Sequence, residues 1–302
     1  MTKPSSEHTL RLLFPQWQGG ANNAPYILGA RLLNWLAPQH EGPFEEVPVS
    51  LELDPTIQDG ILARQTVLNQ ARAAQQIIRK HAPDRLVILG GDCSVDLAPF
   101  AYLNDKYDGD TVLLWVDSHP DVSIPEDFHN HHAQVLANLL GVGDPEFVAE
   151  VPRVFKPEQI LFVGLNDMLD ALQSKPIQSL PLDRLGPDEI QDSSNVLEWL
   201  HERKPSKVMI HFDLDVLDMT QFRSLLVAYY KTYDEYKDKF PRGVSMETII
   251  QLLQDVAKQY DIVGLGITEH FPWDAYFLQN MLSRLPLLGD IDDNQRPTFV
   301  TI

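Results

Sequence analysis

A chain of 302 residues with 24 Lys+Arg against 43 Asp+Glu carries a formal charge of −19 at pH 7. That balance repels phosphate backbones and argues against nucleic-acid binding, while 44% hydrophobic residues support a full core rather than disorder. The single cysteine, Cys93, excludes an internal disulfide framework, and no apolar run approaches the roughly 20 residues of a membrane span. The polar start, Met1–Thr9, lacks the basic-then-apolar order of a signal peptide. A cytoplasmic protein without membrane or nucleic-acid partners is the expectation.

Short apolar runs alternate with longer amphipathic stretches. Arg11–Phe14 predicts an opening strand, and Thr56–Lys80 predicts a helix, with Ile61, Leu62, Leu68, Ala71, Ile77 and Ile78 on one broad face. Arg85–Leu89 reads as a buried strand ended by Gly90-Gly91, followed by a helix over Ser94–Tyr107 and a strand over Val112–Val116. His132–Leu140 predicts a helix capped by Gly141. Ile160–Val163, Val208–Leu214 and Ile262–Ile267 are further strands, and between the last two Ser245 caps a helix over Met246–Tyr260. This alternation predicts an α/β fold: three layers, α-β-α, around a mostly parallel sheet. No Pro/Ser/Gly linker cuts the chain, so one domain over 1–302 is expected, with an insertion at about 220–243. That insertion holds Tyr229, Tyr230, Tyr233 and Tyr236, and it reads as a solvated loop or, alternatively, as a lid or subunit contact.

Acids and histidines fall where the strands end. Gly90-Gly91-Asp92-Cys93-Ser94 follows one strand, Asp117-Ser118-His119-Pro120-Asp121 a second, Asp213-Leu214-Asp215 with Asp218 a third, and Glu269-His270 a fourth. In an open parallel sheet ligands bind beyond the carboxyl ends of the strands, so the four segments are expected to share one crevice. Carboxylates crowded there repel one another unless a cation sits among them. Asp117, His119 and Asp121 share strand parity, as do Asp213 and Asp215, so each group can aim at a common ion. Asp92, by contrast, reads as a turn former or helix cap. Oxygen-rich donors with one or two nitrogens suit Mn²⁺, and Zn²⁺ less well.

These segments resemble the ureohydrolases, the family of arginase, agmatinase and formimidoylglutamase. That family carries GGDHS, DAHxD, a downstream His-Gly, DxDxxDP and a late Glu. Here the motifs read GGDCS at Gly90–Ser94, DSHPD at Asp117–Asp121, His132-Ala133, DLDVLDM at Asp213–Met219, and Glu269 within ITEHFPWDA. The resemblance covers roughly residues 85 to 275 and implies an arginase-like fold and a binuclear Mn²⁺ centre. It implies that Asp117 and Asp213 bridge both ions, that Cys93 and Asp121 complete the first, and that His119 and Asp215 complete the second. It further implies that Asp121 hydrogen-bonds the nucleophile, that His132 shuttles protons, and that Glu269 binds a guanidinium. The implied reaction is hydrolysis of a C–N bond in a guanidino or formimino compound, releasing urea or formamide and an amine. The resemblance also implies a homo-oligomer.

Three departures stand out. Cys93 replaces a histidine, and a thiol suits Zn²⁺, Co²⁺ or Fe²⁺ better than Mn²⁺, so either two ions or one are expected, and Cys93 itself reads equally as ligand or as buried thiol. Ala133 and Met219 replace a glycine and a proline. His129 and His131, beside His132, read as solvent-exposed loop residues. Two other readings compete: a cysteine-nucleophile enzyme, which leaves the aspartates without a task, and a ureohydrolase-like binding protein with a weakened first metal site. The loop Ser123–Asn130 shows no specificity pattern, so arginine, agmatine, guanidino acids and formiminoglutamate all stay open.

Overall fold

In the computed structural model, residues 8–166, 178–231, 233–237 and 243–282 are described. Eight parallel strands form the central sheet: β1 (Thr9–Phe14), β2 (Phe44–Glu46), β5 (Arg85–Gly90), β6 (Thr111–Val116), β7 (Ile160–Val163), β8 (Asp183–Leu185), β9 (Lys207–Asp213) and β10 (Ile262–Thr268). A separate hairpin pairs β3 (Ile57–Gln58) with β4 (Ile61–Leu62). The sheet order is β2-β1-β5-β10-β9-β6-β7-β8. All six residues of β6 are buried, as a strand covered on both faces requires.

Alternate residues feed two cores. Leu113 and Trp115 of β6 join Leu12, Ile88 and Phe162 on one face, under the helices Arg64–His81 and Leu97–Lys106. Val112, Leu114 and Val116 join Ile210 and Val163 on the other, under Ser194–Arg203 and Met246–Gln259. This is the expected α-β-α layering. Ser245 caps the Met246–Gln259 helix by accepting from Thr248 N at 3.1 Å.

Several elements differ from the sequence expectation. The helix expected over Thr56–Lys80 starts at Arg64, because Asp59 (φ 49°) and Gly60 (φ 81°) turn the preceding residues into the β3–β4 hairpin. Asp-Gly is the pair a two-residue hairpin turn favours. The expected His132–Leu140 helix is a 3₁₀ turn over His131–Gln134 followed by a short α-helix, Val135–Leu139, and Gly141 does take φ 77° beyond it. The Leu97–Lys106 helix is likewise preceded by a 3₁₀ turn at Cys93–Asp96. Helices at Pro25–Leu36, Pro145–Ala149, Ser194–Arg203 and Trp273–Leu282 were outside the expectation. Of the Phe222–Arg242 stretch, 232 and 238–242 lie outside the described residues. Its first half packs on the Trp273–Leu282 helix, with Trp273 Nε1 donating to Leu225 O and Tyr229 4.7 Å from the Trp273 ring. Among the described residues, no helix is long and apolar enough to cross a membrane.

The register places the site. Phe14 pairs with Gly90, Ile267 with Leu89, Thr268 with Asp213, and Val116 with Phe212. The chain therefore leaves four neighbouring strands, β5, β10, β9 and β6, at one level, and the acid-bearing segments emerge side by side. Gly91 makes the first exit possible. Its backbone N donates to Phe14 O at 3.0 Å, and a Cβ there would lie 1.7 Å from the Gln16 carbonyl oxygen. Gly91→Ala is accordingly expected to cost about 1–3 kcal/mol, the range for overpacking a closed contact. An unaltered urea midpoint in this variant would show that the β1 and β5 ends separate freely.

Candidate metal and catalytic centre

Every metal ligand expected from the sequence reaches this edge, in three overlapping groups whose ligand atoms lie within 4.8 Å of one another. Asp117, His119 and Asp215 form one, Cys93, Asp213 and Glu269 a second, and Cys93, Asp117, Asp121 and His211 a third. Local turns aim the side chains. Asp117 Oδ1 accepts from His119 N at 2.6 Å, and Asp213 Oδ1 accepts from Asp215 N at 2.7 Å, so each aspartate closes its own turn with one oxygen and turns the other towards its neighbours. His119 Nδ1 stands 2.8 Å from Asp215 Oδ2, while Ser118 Oγ donates to Asp215 Oδ1 at 2.7 Å. Cys93 Sγ donates to Asp213 Oδ2 at 3.2 Å. Asp92 acts as the cap read from sequence, accepting from Ser94 N at 2.9 Å and Gly20 N at 2.7 Å.

Two of these residues have unusual backbones. Asp121 (φ 46°) and Glu269 (φ 63°) both sit in the left-handed region, which disfavours a side chain with Cβ. Such conformations cost about 1–3 kcal/mol and persist only where the surroundings enforce them. Here the Asp121 carbonyl accepts from Leu136 N at 3.0 Å, and Glu269 N donates to Gly91 O at 2.9 Å. Glu269 also accepts from the Tyr26 hydroxyl, presented by the Pro25–Leu36 helix. His132 rests with Nδ1 2.9 Å from the Gly19 carbonyl.

Electrostatics show what this arrangement lacks. Burial, then neighbouring Asp117, pushes the Asp121 carboxyl well above its usual range. Burial and then Asp215 do the same to Asp213, and burial lifts Glu269 despite the Tyr26 hydroxyl. The Cys93 thiol is pushed well up by burial and then by Asp213. Asp117 alone is held low: His119 and His211 outweigh its burial. His119 is raised well above its ordinary value by Asp215 and Asp117 against the effect of burial, whereas burial lowers His132. Asp121 Oδ2 and His211 Nε2 are buried and make no hydrogen bond. Close carboxylates, an imidazole and a thiol around orphaned buried atoms fit a divalent cation, and oxygen predominates among the donors.

Three contributors are absent from the sequence expectation. Tyr26 lies on a helix it did not contain. Asp96 and His211 touch only through the fold, although His211 does share strand parity with Asp213 and Asp215, a signal the sequence carried. Asp218, grouped with that strand end, accepts from Thr220 N at 2.8 Å and Gln221 Nε2 at 3.3 Å, and so shapes its own turn.

The fold and this donor cluster define a parallel α/β protein with side chains that could hold a cation at the carboxyl edge of its sheet. Residues 15–224 match the sequence pattern of the arginase family, and the chain belongs to that family. It is 30% identical over 141 residues to an arginase of Staphylococcus aureus, spanning 44% of this chain and 46% of that protein, so the match covers less than half the relative's length. An Entamoeba histolytica arginase solved with L-ornithine superposes with a TM-score of 0.75 at 19% identity, over 88% of this chain and 92% of that one. The formimidoylglutamase of Bacillus subtilis shares the fold with a TM-score of 0.63 at 14% identity, over 88% and 79% of the two chains.

The histidines near 130 need one correction. His129 is exposed, as expected, with Nδ1 2.7 Å from the Gly60 carbonyl, but His131 is fully buried, not solvent-exposed. The 3₁₀ turn points it inward against Phe147, where Asn138 Nδ2 donates to Nε2 at 3.1 Å and Nδ1 meets Ser94 Oγ at 2.9 Å. Burial lowers its pKa to about 3. The folded protein keeps His131 neutral while the unfolded chain protonates it below about 6.5, so its contribution is complete above that pH and is lost as pH falls towards 3. Between pH 7 and pH 5 this group should remove about 1–2 kcal/mol of stability. Paired urea unfolding of wild type and His131→Asn checks it: the variant should lose less stability over that interval, and equal losses would refute the assignment.

Proposed function

We propose that this protein hydrolyses a C–N bond at the amidine carbon of a guanidino or formimino compound, releasing urea or formamide and an amine. The observation that carries the reading is the convergence of Asp117, His119, Asp121, Asp213, Asp215 and Glu269 from three adjacent strand ends onto one edge of the sheet. Asp121, with Asp117, Asp213 and the Cys93 thiol beside it, would hold one Mn²⁺ at the first position, and His119 and Asp215, with Asp117 and Asp213, would hold another at the second, Co²⁺, Fe²⁺ or Zn²⁺ being alternatives at the first. When bound, the cations acidify a water and offset the negative charge that develops as the planar carbon is attacked. The names of related proteins, arginase and formimidoylglutamase, support the amidine class without choosing within it.

The chain's own groups supply the remaining steps. Glu269 presents a carboxylate to the cationic guanidinium, and the Tyr26 hydroxyl orients it. Asp121 accepts a proton-bearing contact from the attacking water. His132, with Nδ1 engaged by the Gly19 carbonyl, keeps Nε2 for taking a proton and delivering it to the departing nitrogen. Burial holds His132 below its ordinary pKa, so it rests neutral and ready to accept. The cysteine-nucleophile alternative loses support from the same site. Cys93 is 1% exposed, and its thiol is pushed up by burial and by Asp213, which is opposite to what thiolate attack requires.

Release of urea or ammonia across a panel of guanidino and formimino compounds should appear with Mn²⁺ or Co²⁺ and vanish after thorough chelation. Asp215→Ala should lose cation, whereas His132→Ala should keep it and lower kcat by about 10²–10⁴. Undiminished turnover in metal-free protein would overturn the proposal, as would equal effects of the two substitutions on metal content.

A further inference from the structure

The first cation position departs from its family at Cys93, where an imidazole is replaced by a thiol. A different imidazole stands at the same place. His211 lies within β9, fully buried, two residues before Asp213. Its Nε2 makes no hydrogen bond and falls in one group with Asp117, Asp121 and Cys93. We propose that His211 supplies the nitrogen donor of this position, its Nε2 joining Asp117 and Asp121 around the cation while Asp96 holds the ring from behind. The inference rests on the metal-dependent reading above and assigns a ligand that the family motifs do not contain.

The ring is built into place from three sides. Asp96 Oδ2 lies 2.7 Å from His211 Nδ1, and both residues are fully buried. A carboxylate on one ring nitrogen fixes the tautomer so that the other nitrogen offers its lone pair, the usual support for a metal-bound histidine. Trp115 of β6 stacks on the imidazole, with centroids 3.7 Å apart and planes 14° from parallel, and its Nε1 donates to Asp117 Oδ2 at 3.0 Å. Gly266, the β10 residue paired with His211, leaves the space for Asp96: a Cβ there would lie 2.0 Å from Asp96 Oδ2. Asp96, His211 and Gly266 thus form a matched set on three elements.

The distances suit shared coordination better than direct pairing. His211 Nε2 and Asp117 Oδ2 stand 3.6 Å apart, too far for a hydrogen bond. Two donors each about 2.1 Å from one ion lie about 3–3.5 Å apart, so a small inward movement would close the position. Asp121, whose Oδ2 likewise makes no hydrogen bond, is a member of the same group. An imidazole at 211, deprotonated at Nε2 by the cation it would bind, also relieves the charge problem created at 93. With Asp117, Asp121 and Asp213 already negative, an imidazole adds a donor without adding a fourth anion, and Cys93 can stay a protonated thiol bonded to Asp213.

The test reads metal binding rather than turnover. Mn²⁺ stoichiometry and affinity are measured by titration on chelator-stripped wild type, His211→Gln, Asp96→Asn and Asp215→Ala. Wild type should bind two ions. His211→Gln should keep the ion at Asp117, His119 and Asp215 and weaken the other at least 10-fold, and Asp96→Asn, which preserves shape, should weaken it 10–100-fold. Asp215→Ala should retain the first position, and pulsed EPR of its single Mn²⁺ should show nitrogen coupling that disappears when His211→Gln is added. Should His211→Gln fold poorly, Asp96→Asn and the nitrogen coupling still decide the matter. Two ions of unchanged affinity in His211→Gln, or no nitrogen coupling in Asp215→Ala, would overturn the ligand and leave the hydrolase reading intact. A wild type that binds neither ion would overturn both.

Discussion

The structure turns on buried negative charge gathered at one edge of a sheet. Asp117, Asp121, Asp213 and Glu269 are each less than a tenth exposed, and Asp215 joins them from beside His119. Water does not screen them, so their mutual repulsion reaches several kcal/mol at these distances. The raised proton affinities of Asp121, Asp213 and Glu269 express their burial first and that repulsion second. Positive charge is what the arrangement calls for.

The rest of the molecule serves to hold these groups against that repulsion. Parallel strands buried on both faces give a rigid platform, and their register brings four strand ends to a common level. Left-handed backbones at Asp121 and Glu269 turn two carboxylates inward at a cost that the hydrogen bonds from Leu136 and to Gly91 offset. Gly91 and Gly266 clear the space where backbone or carboxylate comes too close for a Cβ. Such tolerances explain why a stable scaffold can carry an unstable arrangement of charge.

Much of the fold was legible because burial imposes period. The run Thr111–Val116 could hardly be other than a two-sided strand, and Ser245 before an amphipathic stretch marked its helix. The hairpin at Asp59-Gly60 shows the limit. Its apolar residues also fit helical spacing, and the left-handed turn decided between them. The helices missed at Pro25–Leu36, Pro145–Ala149, Ser194–Arg203 and Trp273–Leu282 were short, weakly patterned or at the ends of the motif region. Pro25–Leu36, for example, contains Gly29 only because its Cβ would lie 1.9 Å from the His270 carbonyl, a contact no local rule reports.

The sequence by itself determined the inventory of the candidate site: D-x-H-x-D, D-x-D and a late glutamate, each placed directly after an apolar strand. Strand parity and the rule that ligands bind at carboxyl ends are local and topological, so they survive without coordinates. Only the tertiary structure decided which residues stand behind these acids. Tyr26 reaches Glu269 across 243 positions of chain, and Asp96 meets His211 across 115. It also sent His131 inward while its neighbour His129 stayed in solvent, although nothing in the string HNHH separates them. Pairings of that kind depend on strand order and on the space left by a glycine in a third element, and neither quantity is written in the local pattern of residues.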